Sequence, residues 1–196
     1  VDSNASSHNT ALIVTWLEQV IQNYARTGGT GAGQLLSDPA FQPLANNPIL
    51  QEKAGAFVTL RGGRVGPGNL RGCIGRIESS LPLKDTLGDI AIDAAFRDPR
   101  FPPVSPDELP KISLEITILS EPRAISSWEQ IQPGRHGIIL AADGRRALFL
   151  PQVASEQGWS LEETLEQLCR KAGLPPRRFR EGGVSFRIFE GRVIRP

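Results

Sequence analysis

The sequence predicts an α+β protein, a mainly antiparallel sheet with flanking helices. Three observations carry this. Apolar residues recur at helical spacing in three long stretches, and residues 111–119 alternate apolar with polar. The strand-like segments are joined mostly by hairpin turns instead of crossover helices.

The elements follow in order. Residues 11–26 form a helix, because Ile13, Trp16, Leu17, Val20, Ile21 and Tyr24 make one apolar stripe; Asn9 or Thr10 caps its start and Gly28-Gly29 ends it. Residues 1–10 read as a flexible tail, 27–33 as a flexible connection and 34–48 as irregular. Segments 56–60 and 69–77 are strands flanking a glycine-rich loop, hence a hairpin. Pro82 suits a first helical position, and Leu83, Leu87, Ile90, Ala91 and Ala94 carry that helix to Asp98-Pro99, where proline stops it. Ser105, Pro106 and Glu108 resemble a capping box, so a helical turn follows. In the alternating strand 111–119, Ile112, Leu114, Ile116 and Ile118 face inward, and Ser113, Glu115 and Thr117 outward. Asp143-Gly144 suits a type I′ turn between strands 138–142 and 145–150. Ser160 with Glu163 caps a helix that ends at Gly173, and 184–189 is a final strand, joined by Val193-Ile194.

The chain has 196 residues, enough for one domain or a domain with an appendage. Net charge is +1 with the two signs interspersed, which disfavours nucleic-acid binding; the nearest thing to a basic patch is Arg170, Lys171, Arg177, Arg178 and Arg180. Two scattered cysteines, Cys73 and Cys169, suit a reduced, cytosolic protein. No apolar run reaches the ~20 residues that span a bilayer. The chain starts at Val1 and has no methionine, so the start codon is removed or upstream.

Leu70-Arg71-Gly72-Cys73-Ile74-Gly75 is the segment richest in chemistry. In an extended strand Arg71 would share a face with Cys73 and stabilise its thiolate, the nucleophilic form. Gly72 and Gly75 would leave the sulfur uncovered.

Several further blocks accompany this motif in order. They are Phe57-Val58-Thr59-Leu60, Asp98-Pro99-Arg100-Phe101-Pro102-Pro103, Asp107-Glu108-Leu109-Pro110, His136-Gly137-Ile138, Leu150-Pro151-Gln152-Val153-Ala154, Gln157-Gly158-Trp159 and Lys171-Ala172-Gly173-Leu174. With them the chain resembles the AMMECR domain family, in particular its bacterial members, over residues 11–190. The resemblance implies an α+β fold with a larger and a smaller subdomain. It also implies partnership with a Memo-like protein and a radical SAM protein, the AmmeMemoRadiSam system. It carries no catalytic role for any residue, only the expectation that Leu70 to Gly75 matters.

Weighed on their chemistry, the candidates narrow. Cys73 is a candidate nucleophile, against the alternative of a small packed side chain. His136, the one histidine outside the tail, is its candidate base, against that of a loop histidine bonded to a carbonyl. Arg71, Gly72, Gly75 and Arg100 are candidate binding residues, Arg100 for an anion-recognising cleft. Asp85, Asp89 and Asp93 share a helix face that reads as solvated. With no HExxH, CxxC or histidine cluster, neither metal nor cofactor is expected, and three clustered cysteines for a radical SAM cluster are missing. The loop 62–68 lacks the Gly-Lys-Ser/Thr of a phosphate cradle and reads as a mobile lid over Cys73. The favoured reading is an enzyme, or a component of one, that takes a small or peptidic substrate near Cys73. A non-catalytic protein-binding adaptor is the alternative, and nucleic-acid binding trails both.

Overall fold

The computed structural model describes residues 3–29, 31–62 and 69–195. The tail residues 1 and 2, Thr30 of the connection and residues 63–68 of the glycine-rich loop therefore lie outside the described residues, and with that loop the lid expectation. The chain divides into two compact units, Val1–Ile118 with Arg192–Pro196, and Leu119–Gly191.

In the first unit, α1 (Ser3–Thr27) starts earlier than the expected Ala11 because neither glycine nor proline interrupts residues 3–10. Its stripe of Ile13, Trp16, Leu17, Val20 and Ile21 is buried. The stretch expected to be irregular holds short helices instead: α2 (Ala32–Leu35), a 3-10 segment Pro39–Leu44 and α3 (Pro48–Gln51). The last two share a local start signal, since Asp38 and Asn47 accept hydrogen bonds from the N–H groups of Ala40 and Ile49 and each precedes a proline. Strand β1 (Ala56–Arg61) pairs antiparallel with β2 (Leu70–Arg76) on one side and with β3 (Ser113–Leu119) on the other. Helix α4 (Leu83–Phe96) starts one residue after Pro82, which stands just outside the first helical position expected of it; the helix lies on β1 and β2 and packs against α1. Val58, Leu60, Leu114 and Ile116 complete the core beneath it.

β3 corrects one expectation. Glu115 and Thr117, assigned outward, are buried. An antiparallel sheet need not leave a face to water, and Arg195 covers Glu115 through a 2.6 Å ion pair.

The second unit holds β4 (Arg123–Ile125), β5 (His136–Ala142), β6 (Arg145–Phe149) and β7 (Ser185–Ile194), whose last three residues belong to the first unit. Its strand order is β6-β5-β7-β4, all antiparallel. Asp143 and Gly144 have φ of 51° and 71°, the pair of positive values that a type I′ turn requires. Helices α5 (Gln152–Gln157) and α6 (Leu161–Lys171) follow, α6 with a complete Ser160–Glu163 capping box. Leu165, Leu168 and Cys169 bury one face of α6 in a separate core with Leu140, Phe179 and Ile188.

Candidate functional site

β2 is an edge strand, paired only through β1. Register runs without a break from Ala56↔Arg76 to Leu60↔Gly72 and then jumps to Arg61↔Leu70, so Arg71 is the extra residue of a bulge. The bulge interrupts the alternation from which Arg71 was expected to share a face with Cys73. Arg71 is only 1% exposed, and its guanidinium grips Glu108 with two bonds, Nε to Oε1 at 2.8 Å and Nη2 to Oε2 at 3.1 Å. Glu108 also accepts from the N–H and hydroxyl of Ser105, and these donors hold its carboxyl down at about 2, Arg71 foremost. Arg71 is thus an anchor for residues 105–108, not the partner of the thiol.

The two glycines serve packing. A Cβ on Gly72 would overlap the carbonyl oxygen of Ala94, so the glycine lets α4 sit directly on the strand. Gly75 stands opposite Phe57, whose ring fills the space of a Cβ.

Cys73 is held from the open edge. Its N–H donates to Asp98 Oδ2 at 2.9 Å, and its carbonyl accepts from Arg100 Nη2 at 2.9 Å. Asp98 and Arg100 are themselves paired, at 2.6 Å, so the corner Asp98-Pro99-Arg100 occupies the place of a neighbouring strand. With both backbone groups turned to that corner, Cys73 and Thr59 form a non-hydrogen-bonded pair, the arrangement that brings facing side chains closest. Thr59 Oγ1 accordingly donates to Cys73 Sγ at 3.3 Å. Glu115 stands across from Thr59 on β3, which makes a row of thiol, hydroxyl and carboxylate over three strands.

The electrostatics oppose a resting thiolate. Burial pushes the Cys73 thiol above its ordinary value, and Asp98 adds to this. The Thr59 hydrogen bond and the charges of Arg100 and Arg61 pull the other way without prevailing. Asp98, nearly buried, is held down at about 2, chiefly by Arg100. The cations acting on the sulfur are Arg100 and Arg61. Arg100 fits the expected place beside the cysteine strand, but its charge is matched by Asp98.

His136 belongs to the second unit, where it is buried on β5 and pairs in register with Glu190. Its Nδ1 accepts from the Gln132 N–H at 3.0 Å. Burial, with Arg135 and Arg123, lowers its pKa, so the ring is neutral with the proton on Nε2. That tautomer has no free acceptor nitrogen, and the partners of Cys73 named above all belong to the first unit.

Of the remaining candidates, Asp85 and Asp89 are exposed, on the solvated face expected of them, and the others are accounted for by neighbours. Asp93 pairs with Arg97 one helical turn on. Arg178 pairs with Asp143, Arg180 with Glu162, and Arg170 and Arg177 with Glu166; Lys171 lies over the Phe149 ring. Among the described residues no group of three or more His, Cys, Asp and Glu could hold a metal ion, and no helix is long and apolar enough to cross a membrane.

Sequence reasoning missed Thr59, Asp98, Glu108 and Arg61 as neighbours of the motif. Asp98 and Glu108 each carried a signal, Asp98 ahead of a proline where an Asx turn forms, Glu108 inside a capping box. Neither signal names a partner distant in sequence.

Comparison with known proteins agrees with the resemblance. The AMMECR1 family model matches residues 19–194. Protein MJ0810 of Methanocaldococcus jannaschii is 39% identical over 187 residues, which cover 92% of this chain and 87% of that one. Protein Mbar_A1807 of Methanosarcina barkeri is 43% identical over 154 residues, 76% of this chain and 74% of its own. The crystal structure of the uncharacterized protein PH0010 from Pyrococcus horikoshii superposes with a TM-score of 0.78 at 35% identity, covering 92% of this chain and 87% of that one. The family model spans most of the chain, the relatives match most of its length, and the solved structure shares its α+β architecture; the chain belongs to the AMMECR1 family.

Proposed function

We propose that the chain is a cytosolic enzyme, or a component of one, in which Cys73 is the reacting group for a small or peptidic substrate laid against the cysteine hairpin. One observation carries this. Arg71, Gly72 and Gly75 are each spent on structure, whereas the half-buried Cys73 sulfur has, among the described residues, only Thr59 as a bonded neighbour. The thiol is protonated at rest and gives up its proton to solvent; Thr59, with the charges of Arg100 and Arg61, then stabilises the thiolate that attacks the substrate. The reading does not call on His136.

The test uses intact-protein mass spectrometry, with Cys169 fully buried and Cys73 the accessible thiol. Iodoacetamide should modify Cys73 with an apparent pKa above the ~8.5 of a free thiol. Among small acyl and peptidyl electrophiles, at least one should label Cys73 faster than it labels glutathione at the same pH. If none does, the catalytic reading fails.

The raised thiol also favours a second reading, a non-catalytic adaptor that presents this hairpin to protein partners. The Memo-like and radical SAM proteins implied by the resemblance are then the baits. Capture that survives Cys73→Ser supports the adaptor, and the absence of any captured partner counts against it.

A further inference from the structure

On the opposite face of β1 from Cys73, a cavity of about 180 Å³ opens between α1 and residues 104–114. Its floor is Leu60 and Leu114, and its walls are Ile21, Val104 and Ile112. That volume is close to the ~150 Å³ that admits benzene in an engineered apolar cavity. An adjoining cleft of about 480 Å³ shares Gln22 and Leu109 with it and leads outward along α1 past Asn23 and Arg26.

One charged group lines the inner cavity. Glu18 sits on α1 between Val14, four residues before, and Ile21, three after, both buried, so it falls on the edge of the helix's apolar stripe. A half-buried carboxylate there ordinarily finds a cation or several N–H donors. Among the described residues Glu18 has neither a hydrogen bond nor an ion pair. Burial alone acts on it and raises its pKa. A chamber walled by Leu60, Leu114, Ile21, Val104 and Ile112, with one amide and one carboxylate that has no partner among the described residues, is complementary to one ligand chemistry.

We propose that this cavity binds a small organic cation, an ammonium group on an apolar body about the size of a benzene ring. The ammonium pairs with Glu18, with the Gln22 amide beside it one turn on, and the body fills the space over Leu60 and Leu114. Thr59, the neighbour of Leu60, points to the other side of the sheet, so this site is separate from Cys73 and stands or falls independently of it.

The experiment titrates the full chain with benzylamine, benzyl alcohol and phenylacetate, and follows backbone amide NMR shifts. Benzylamine should give saturable shifts centred on Ile21, Leu60 and Ile112. Benzyl alcohol should bind about tenfold more weakly and phenylacetate more weakly still. Glu18→Gln should bring benzylamine down to the level of benzyl alcohol, and Ile112→Trp, which fills the chamber, should abolish both. The proposal is overturned if benzylamine shows no saturation by ~10 mM, if its shifts centre elsewhere, if phenylacetate binds as well as it does, or if a folded Glu18→Gln binds it unchanged. Should Glu18→Gln not fold, the order of the three ligands on the unsubstituted chain decides.

Discussion

The protein contains two hairpins built on different logic. In β5–β6 the turn residues Asp143 and Gly144 adopt the positive φ values that the sequence announces, and register is unbroken from Ala142↔Arg145 to Ile138↔Phe149. In β1–β2 register breaks at Arg71, and the motif is tied to residues far along the chain: Asp98 and Arg100 on the Cys73 backbone, Glu108 on Arg71, and the α4 backbone on Gly72. Residue types in β5–β6 report on their own backbone. In β1–β2 they report on partners. A string that looks like an active-site signature is therefore largely a packing code, with the Cys73 sulfur as its remainder.

The contrast can be broken at several points. The largest effect is expected from Gly72→Val, whose side chain must displace the Ala94 carbonyl; it should cost about 3 kcal/mol or more, roughly 10 °C in Tm, in thermal unfolding. A Tm within a degree or two of the unsubstituted chain would mean that α4 does not rest on this glycine. Glu108→Gln leaves the buried Arg71 charge uncompensated and should cost about 2–3 kcal/mol in chemical denaturation, less than the ~3–5 kcal/mol of a fully buried pair because Glu108 is partly in water. Cys73 alkylation should keep its pH profile in that variant, since Glu108 is not among the groups acting on the thiol. A shifted profile would restore Arg71 as partner of the sulfur.

Acid should separate the hairpins next. Asp98 and Glu108 titrate at about 2 in the folded chain, below the ordinary 3.8 and 4.5. Depressed carboxylates contribute stability that is complete above their unfolded pKa values and is lost as pH falls from about 5 through 2. Asp98→Asn should remove about 2 kcal/mol of that acid-sensitive stability, seen as a flatter dependence of unfolding free energy on pH. An unchanged slope would contradict the clamp on Cys73. The smallest effect belongs to the local hairpin. Gly144→Ala meets no neighbouring atom and bears only the left-handed backbone penalty, ~1 kcal/mol by denaturant titration. A loss as large as that of Gly72→Val would show that this turn, too, has non-local contacts.

How far the sequence could be read follows the same division. The stripe of α1, the stop of α4 before Pro99, the existence of strand β3 though not its outward face, the Asp143-Gly144 turn and the Ser160–Glu163 cap all rest on patterns within a few residues, and all were legible. The short helices of residues 32–51 were missed because their apolar residues are too few to set a period. Burial of Glu115 was missed because its cover, Arg195, lies 80 residues on. At the site, the sequence singled out Cys73 and Arg100 but misjudged what surrounds them. A bulge depends on where the facing strand places its bonds, and a thiol's ionisation depends on how much water the fold removes, and neither is a property of the residues alone.

By itself, then, the sequence determined the three long helices, the Asp143-Gly144 turn and the identity of the family, through spacing and order along the chain. Only the tertiary structure decided that Arg71 serves Glu108, that Asp98 and Arg100 close the open edge at Cys73, that the thiol is protonated at rest, and that Glu18 lines a cavity over Leu60 and Leu114 with no ion-pair partner among the described residues. The physical reason is reach: local hydrogen bonds and periodicity are written in neighbouring residues, whereas desolvation and ion pairing depend on groups that only folding brings together.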